Sequence, residues 1–117
     1  MTDRELLELA ARAAGVGYTW SEFWETMARP LNDGSGWDNR ATWNPLKDDG
    51  DALRLAVKLR LDITFYNGFQ EVAAEPSNGD GMNPSQEVFI EDPYAATRRA
   101  ITRAATEIGK SMGGGNE

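Results

Sequence analysis

The sequence predicts an α+β domain in which three helices pack with a small, mainly antiparallel sheet of three to four strands. Three observations carry this reading. Helical stripes with recognisable start signals occur near both ends of the chain and in its middle. Between the second and third stripes, Leu61, Ile63 and Phe65 alternate with Asp62, Thr64 and Tyr66, the period of a half-buried strand. Asn67-Gly68 follows at once, the strongest short hairpin signal in the chain, so an antiparallel partner is expected over Phe69–Glu75.

The first helix is expected over Asp3–Ala14. Thr2 and Glu5 have the spacing of a capping box, the apolar run from Leu6 to Ala14 follows, and Gly15 is a natural stop. Val16, Tyr18 and Trp20 alternate and suggest a short strand. Ser21 to Met27 reads as one or two helical turns, capped by Ser21 and stopped by Pro30. The run Asn32 to Gly36 reads as a loop. Asp38 to Thr42, between Trp37 and Trp43, carries no decisive pattern.

The middle of the chain, Trp43 to Leu59, organises the rest. Asn44-Pro45 disfavours helix before it. Asp48, Asp49 and Asp51 can cap free backbone N–H groups and complement the helix dipole, so a helix is expected over Asp48–Leu59. The same three carboxylates invite a metal reading, but their spacing departs from the calcium-loop pattern, and capping already explains them. A further strand is expected within Gln86–Glu91, after a polar loop from Pro76 to Pro84. Asp92-Pro93 then sets the start of a last helix, Pro93–Ser111, with Tyr94, Ile101 and Ile108 on one side. The expected core is Leu6, Leu53, Val57, Ile63, Phe65, Val88, Ile90, Ile101 and Ile108. Residues 1–112 are expected to form one domain, and the glycine-rich tail, residues 113–117, to be disordered.

Composition bounds the chemistry. The 117 residues contain no cysteine and no histidine, which excludes thiolate nucleophiles, Cys/His metal sites and histidine-based triads. A non-enzymatic protein without metal or other cofactor is the expectation. A net charge of −7 argues against non-specific binding to nucleic acid or to anionic membranes. The segment after Met1 has no uninterrupted apolar stretch, so neither a secretory signal nor a membrane span is expected, and the default compartment is the cytoplasm.

Two clusters are candidate binding groups. Tyr18, Trp20, Trp24, Trp37 and Trp43 are dense for so short a segment. They can fill a core beneath a loop, or turn one or two rings towards a pocket where a base would stack. Arg98, Arg99 and Arg103 lie on the last helix, where Arg103 can pair with Glu107. They form either a solvated helix face or a grip for phosphate oxygens.

Three blocks of this chain resemble the phage ABA-sandwich domain family. They are the opening Thr2-Asp-Arg-Glu-Leu-Leu-Glu-Leu-Ala-Ala-Arg-Ala-Ala-Gly, the central Trp43-Asn-Pro-Leu-Lys-Asp-Asp-Gly-Asp-Ala-Leu-Arg-Leu-Ala-Val-Lys-Leu and the late Asp92-Pro-Tyr-Ala-Ala-Thr-Arg-Arg-Ala-Ile-Thr-Arg-Ala-Ala. Tyr18 to Thr42 lies outside them. The resemblance implies helices packed on a small sheet, a tailed-phage or prophage origin and a place in the host bacterial cytoplasm. It supplies no catalytic residues. By analogy of size and context it implies an accessory protein that counters host defence. One form is an anti-defence sponge, a homo-oligomer that sequesters a small anionic nucleotide signal, a cyclic oligonucleotide or an ADP-ribose-type messenger, without turnover. Its expected ligand-binding set is Arg98, Arg99 and Arg103 with Tyr18, Trp20, Trp24 and Trp43. The other form is a protein-interaction module that blocks a host or phage partner. A sponge requires aromatic and cationic groups converging on one pocket, and a module requires a broad exposed patch.

Overall fold

A computed structural model describes residues 1–22, 24–31, 37–68, 70–76, 85–88 and 92–112. Among them the chain is α+β, with three helices and six strands. The first helix, α1 (Asp3–Ala14), begins at a complete capping box between Thr2 and Glu5. It ends at Gly15, whose φ of 69° lets its N–H reach back to Ala11 and Arg12. Both ends fall where the sequence places them.

Two strands follow, β1 (Thr19–Ser21) and β2 (Thr26–Pro30), as an antiparallel hairpin with Ser21 opposite Thr26. The helical turns expected from Ser21 to Met27 are not formed. The Ser21 hydroxyl does accept from the Trp24 N–H, as an N-cap would. The turn stops there because Glu25 enters the left-handed region at φ 50°, which returns the chain into a strand. The third strand, β3 (Trp37–Trp43), pairs with β2 across a bulge between Ala28 and Arg29 and completes a sheet in the order β1-β2-β3.

Asp48 is the N-cap of α2 (Asp49–Leu59), its carboxylate accepting from the Asp51 N–H. A second sheet follows in the order β4-β5-β6, from β4 (Leu61–Tyr66), β5 (Glu71–Pro76) and β6 (Ser85–Val88). The β4–β5 hairpin expected at Asn67-Gly68 is present, with Tyr66 opposite Glu71. Its loop is four residues rather than the tightest two: Gln70 donates to the Asn67 carbonyl and itself takes the left-handed conformation at φ 52°. The strands thus divide between two small antiparallel sheets.

The last helix, α3 (Pro93–Met112), is the hub, packing on α1, α2 and the second sheet. Its contact with α1 is close because both faces are small. Gly109 meets Leu9 so tightly that an added Cβ would lie 2.0 Å from the Leu9 carbonyl oxygen. One turn earlier the buried Thr106 hydroxyl donates to the Leu6 carbonyl at 2.9 Å. The core joins Leu7, Ala10 and Ala14 of α1, Met27 and Trp43 of the first sheet, Ala52, Leu55 and Ala56 of α2, Val72 and Ala74 of β5, and Ala100, Ile101 and Ala105 of α3.

Against the expected core, Leu6 and Ile101 are buried, and Ile63 and Ile108 are partly so. Leu53, Val57 and Phe65 are exposed instead. The reason is the phase of α2, which turns Ala52, Leu55 and Ala56 inwards, so that Leu53 and Val57 fall on its flank. Tyr94, expected on the buried side of α3, is exposed too. The side chains of Val88 and Ile90, the loop at residues 77–84 and the tail at residues 113–117 lie outside the described residues. No helix among the described residues is long and apolar enough to cross a membrane.

Candidate functional site

The three arginines of α3 fan out to three different elements. Arg98 is mostly buried; its Nε donates to the Leu46 carbonyl at 3.0 Å and its Nη1 to Asp49 at 2.6 Å, which pins the start of α2 to α3. Arg99 reaches Asp3 at the start of α1, 3.4 Å away. Arg103 pairs with Glu87 of β6, while Glu107 takes Lys110. Each guanidinium thus has a carboxylate of this chain beside it. Arg99 and Arg103 do share a helix face, as their spacing predicts, but each carries its charge to a different neighbour.

The aromatic residues divide as well. Trp20 is partly buried with the Arg4 guanidinium 5.6 Å from its ring centre. Trp24 sits at the tip of the first hairpin. Tyr18 and Trp43 come together, with ring centres 6.2 Å apart and planes within 9° of parallel. Trp43 is almost wholly buried and forms a floor, and Tyr18 is only partly covered.

These two rings line a cleft of about 520 Å³, within the usual range for small-molecule sites. Its walls are the end of α1 at Ala14-Gly15-Val16, Thr42 and Trp43 of β3, and one side of α2 formed by Asp51, Arg54, Leu55 and Lys58. Those four positions follow helical spacing, so one face of α2 supplies them all. Of the seven residues expected to bind, Tyr18 and Trp43 line this cleft; Trp20, Trp24, Arg98, Arg99 and Arg103 do not. Arg54 and Lys58 are the cations that line it, and neither stands out in the sequence. The available signal is their four-residue spacing on α2, one turn after an acidic cap, which becomes informative only once the phase of the helix is known.

The electrostatics of the cleft rest on Asp51. Its carboxylate is little exposed, accepts from the Asn44 N–H at 2.9 Å and binds the Arg54 guanidinium at 2.7 Å. That hydrogen bond raises the Arg54 pKa, burial opposes it, and the charges of Asp51 and Asp48 add to it, so Arg54 stays cationic. Lys58 has no ion-pair partner among the described residues. The Arg29 guanidinium stands 5.9 Å from the Tyr18 ring centre. The result is an aromatic floor with cations exceeding carboxylates along one wall. The three aspartates expected to cap α2 each do something different, since Asp48 caps the helix, Asp49 holds Arg98 and Asp51 orients Arg54.

No family model, curated protein or solved structure matches this chain. The cleft therefore has to be read from its own chemistry.

Proposed function

We propose that the protein binds a small anionic nucleotide in the cleft between Tyr18, Trp43, Arg54 and Lys58 and holds it without turnover. One observation carries this reading: the stacked Tyr18 and Trp43 rings and the cationic Arg54 and Lys58 side chains converge on this cleft. A partly covered Tyr18 ring offers a stacking face for a base, and Arg54 and Lys58 reach the phosphates. Asp51, already fixed by Asn44 and Arg54, can accept from a base N–H or a ribose hydroxyl. Sequestration fits a chain without histidine or cysteine, since capture needs short-range grip and no proton shuttle. With a net charge of −7 repelling an anion at long range, the local cations become essential. In this reading the protein is a phage accessory factor that removes a cyclic oligonucleotide or ADP-ribose-type immune signal in the host bacterial cytoplasm.

The test is a thermal-shift screen against cyclic di- and trinucleotides and ADP-ribose isomers. A bound ligand at a hundredfold excess over its Kd stabilises the fold by about 2.7 kcal/mol. The same ligand should be recovered chemically intact after long incubation. A panel that leaves the melting temperature unmoved overturns the reading, and ligand degradation overturns its non-catalytic part.

The second reading, a protein-interaction module, is favoured by a different observation. Leu53, Val57, Phe65 and Tyr94 leave a broad apolar surface on the other flank of α2.

A further inference from the structure

We infer that the ligand of the Tyr18–Trp43 cleft is a guanine nucleotide and that Asp51 reads its base, an inference that rests on the nucleotide reading above and narrows it. Among the described residues that line the cleft, Asp51 is the only one with a carboxylate. Its two oxygens are held separately. Oδ2 accepts from the Asn44 N–H at 2.9 Å, and Oδ1 accepts from Arg54 Nη2 at 2.7 Å. Asn44 directly follows Trp43, so the first bond fixes the carboxylate at the margin of the aromatic floor. The Asp51 side chain is 14% exposed, against 59% for Asp48 and 72% for Asp49. A carboxylate this covered, and bonded through both oxygens, keeps one orientation.

An ionised carboxylate has about four lone-pair sites, so each oxygen keeps one for a ligand. Together they form a pair of adjacent acceptors, and the bases differ in what they offer to it. Guanine presents N1–H and N2–H side by side, two donors for two oxygens. Adenine presents N6–H beside an unprotonated N1, and cytosine N4–H beside N3, so an acceptor would face a carboxylate oxygen. Uracil presents one N3–H between two carbonyls. An acceptor set against a little-exposed carboxylate leaves both groups without a donor, which is costly. Guanine is the base whose edge satisfies this carboxylate.

Helix α2 orders the rest of the ligand. Asp51, Arg54 and Lys58 line the cleft from one face of the helix, and Lys58 lies about 10.5 Å along the axis from Asp51. A guanine with its edge at Asp51 and its face on the Tyr18 ring directs its phosphate towards the Lys58 end. Arg54 stands between them, 72% exposed, and after its bond to Asp51 keeps further N–H donors for the phosphate. Asp51 thus selects the base and also positions the cation that follows it. Guanine-containing cyclic oligonucleotides match this order of groups, whereas ADP-ribose isomers carry adenine and do not.

Isothermal titration of the full chain with cyclic di-GMP, cyclic di-AMP and the inosine analogue cyclic di-IMP tests the assignment. The guanine form should bind at least about a hundredfold more tightly than the adenine form. The inosine form keeps N1–H but lacks the 2-amino group, so it should bind at least about tenfold more weakly than the guanine form. Asp51→Asn offers one acceptor and one donor, the complement of the adenine edge, and should bring the adenine form within about tenfold of the guanine form or past it. The variant also releases Arg54, so the ratio between bases is the readout: an Asp51 that only positions Arg54 would weaken all three ligands alike. A guanine preference that survives Asp51→Asn overturns the inference. So does equal binding of the guanine and adenine forms, the result if Asp51 holds ribose hydroxyls; loss of that binding in Arg54→Ala with Lys58→Ala would still leave the cleft as the nucleotide site. Should none of the three bind, the inference fails, and the ADP-ribose members of the panel decide whether the cleft reading fails with it.

Discussion

Arg60 follows the last turn of α2 with φ 56°, and its N–H bonds back to the Ala56 and Val57 carbonyls. Glycine is the residue this C-terminal position favours, since a Cβ is strained in the left-handed region. Arg60→Gly should therefore raise the unfolding free energy, by no more than the ~1–2 kcal/mol that a left-handed conformation costs an L-residue, measured by urea denaturation, and a loss would show that the guanidinium makes a stabilising contact. Gln70 and Glu25 hold the same conformation at the ends of their hairpin loops. Such positions are hard to read in sequence, because arginine, glutamine and glutamate are not the residues that announce positive φ. The aspartates are the opposite case. Asp48 is legible as a cap because its chemistry acts on the backbone within three residues. The pairing of Asp49 with Arg98, 49 residues away, depends on the packing of two helices and leaves no local mark.

Helices are legible in this sequence and their rotation is not. Capping residues mark the starts of α1, α2 and α3 to within one residue, and an alternating run marks β4. Helix α2, however, carries apolar residues around more than half its circumference, so periodicity alone does not choose between the Leu53/Val57 and the Ala52/Leu55/Ala56 faces. Close packing against α3 selects the alanines. Substitution separates the two faces: Ile101→Ala on the buried side of α3 should cost about 2–5 kcal/mol, whereas Leu53→Ala should change monomer stability by less than about 0.5 kcal/mol. Equal losses in thermal or urea unfolding would contradict this phase. The α1–α3 contact gives a sharper test. A methyl at position 109 collides with the Leu9 backbone, which cannot swing aside as a side chain can. Gly109→Ala should cost about 1–3 kcal/mol although alanine favours helix, and a neutral result would mean that the two helices separate freely. The β2–β3 region is the least legible, because its pairing is made by long-range register across a bulge.

At the scale of the whole molecule, α2 divides the surface by chemistry. Its Asp51, Arg54 and Lys58 flank faces a polar cleft floored by Tyr18 and Trp43, and its Leu53 and Val57 flank faces an apolar groove. The expectation that aromatic and cationic groups meet rests on clusters along the chain, Arg98 to Arg103 among them. Those arginines instead tie α3 to α2, α1 and β6, and the cations beside the stacked rings come from the helix at the centre of the chain. The central claim is that this cleft is the binding site. Isothermal titration with the best ligand of the nucleotide panel tests it most directly, comparing the parent with two double variants. Charge-assisted hydrogen bonds to phosphate contribute about 1.5–3 kcal/mol each. Arg54→Ala with Lys58→Ala should therefore weaken binding at least tenfold, while Arg99→Ala with Arg103→Ala leaves it within about twofold, a difference of ~0.4 kcal/mol. The reverse ordering would place the phosphate grip on α3 and contradict the account.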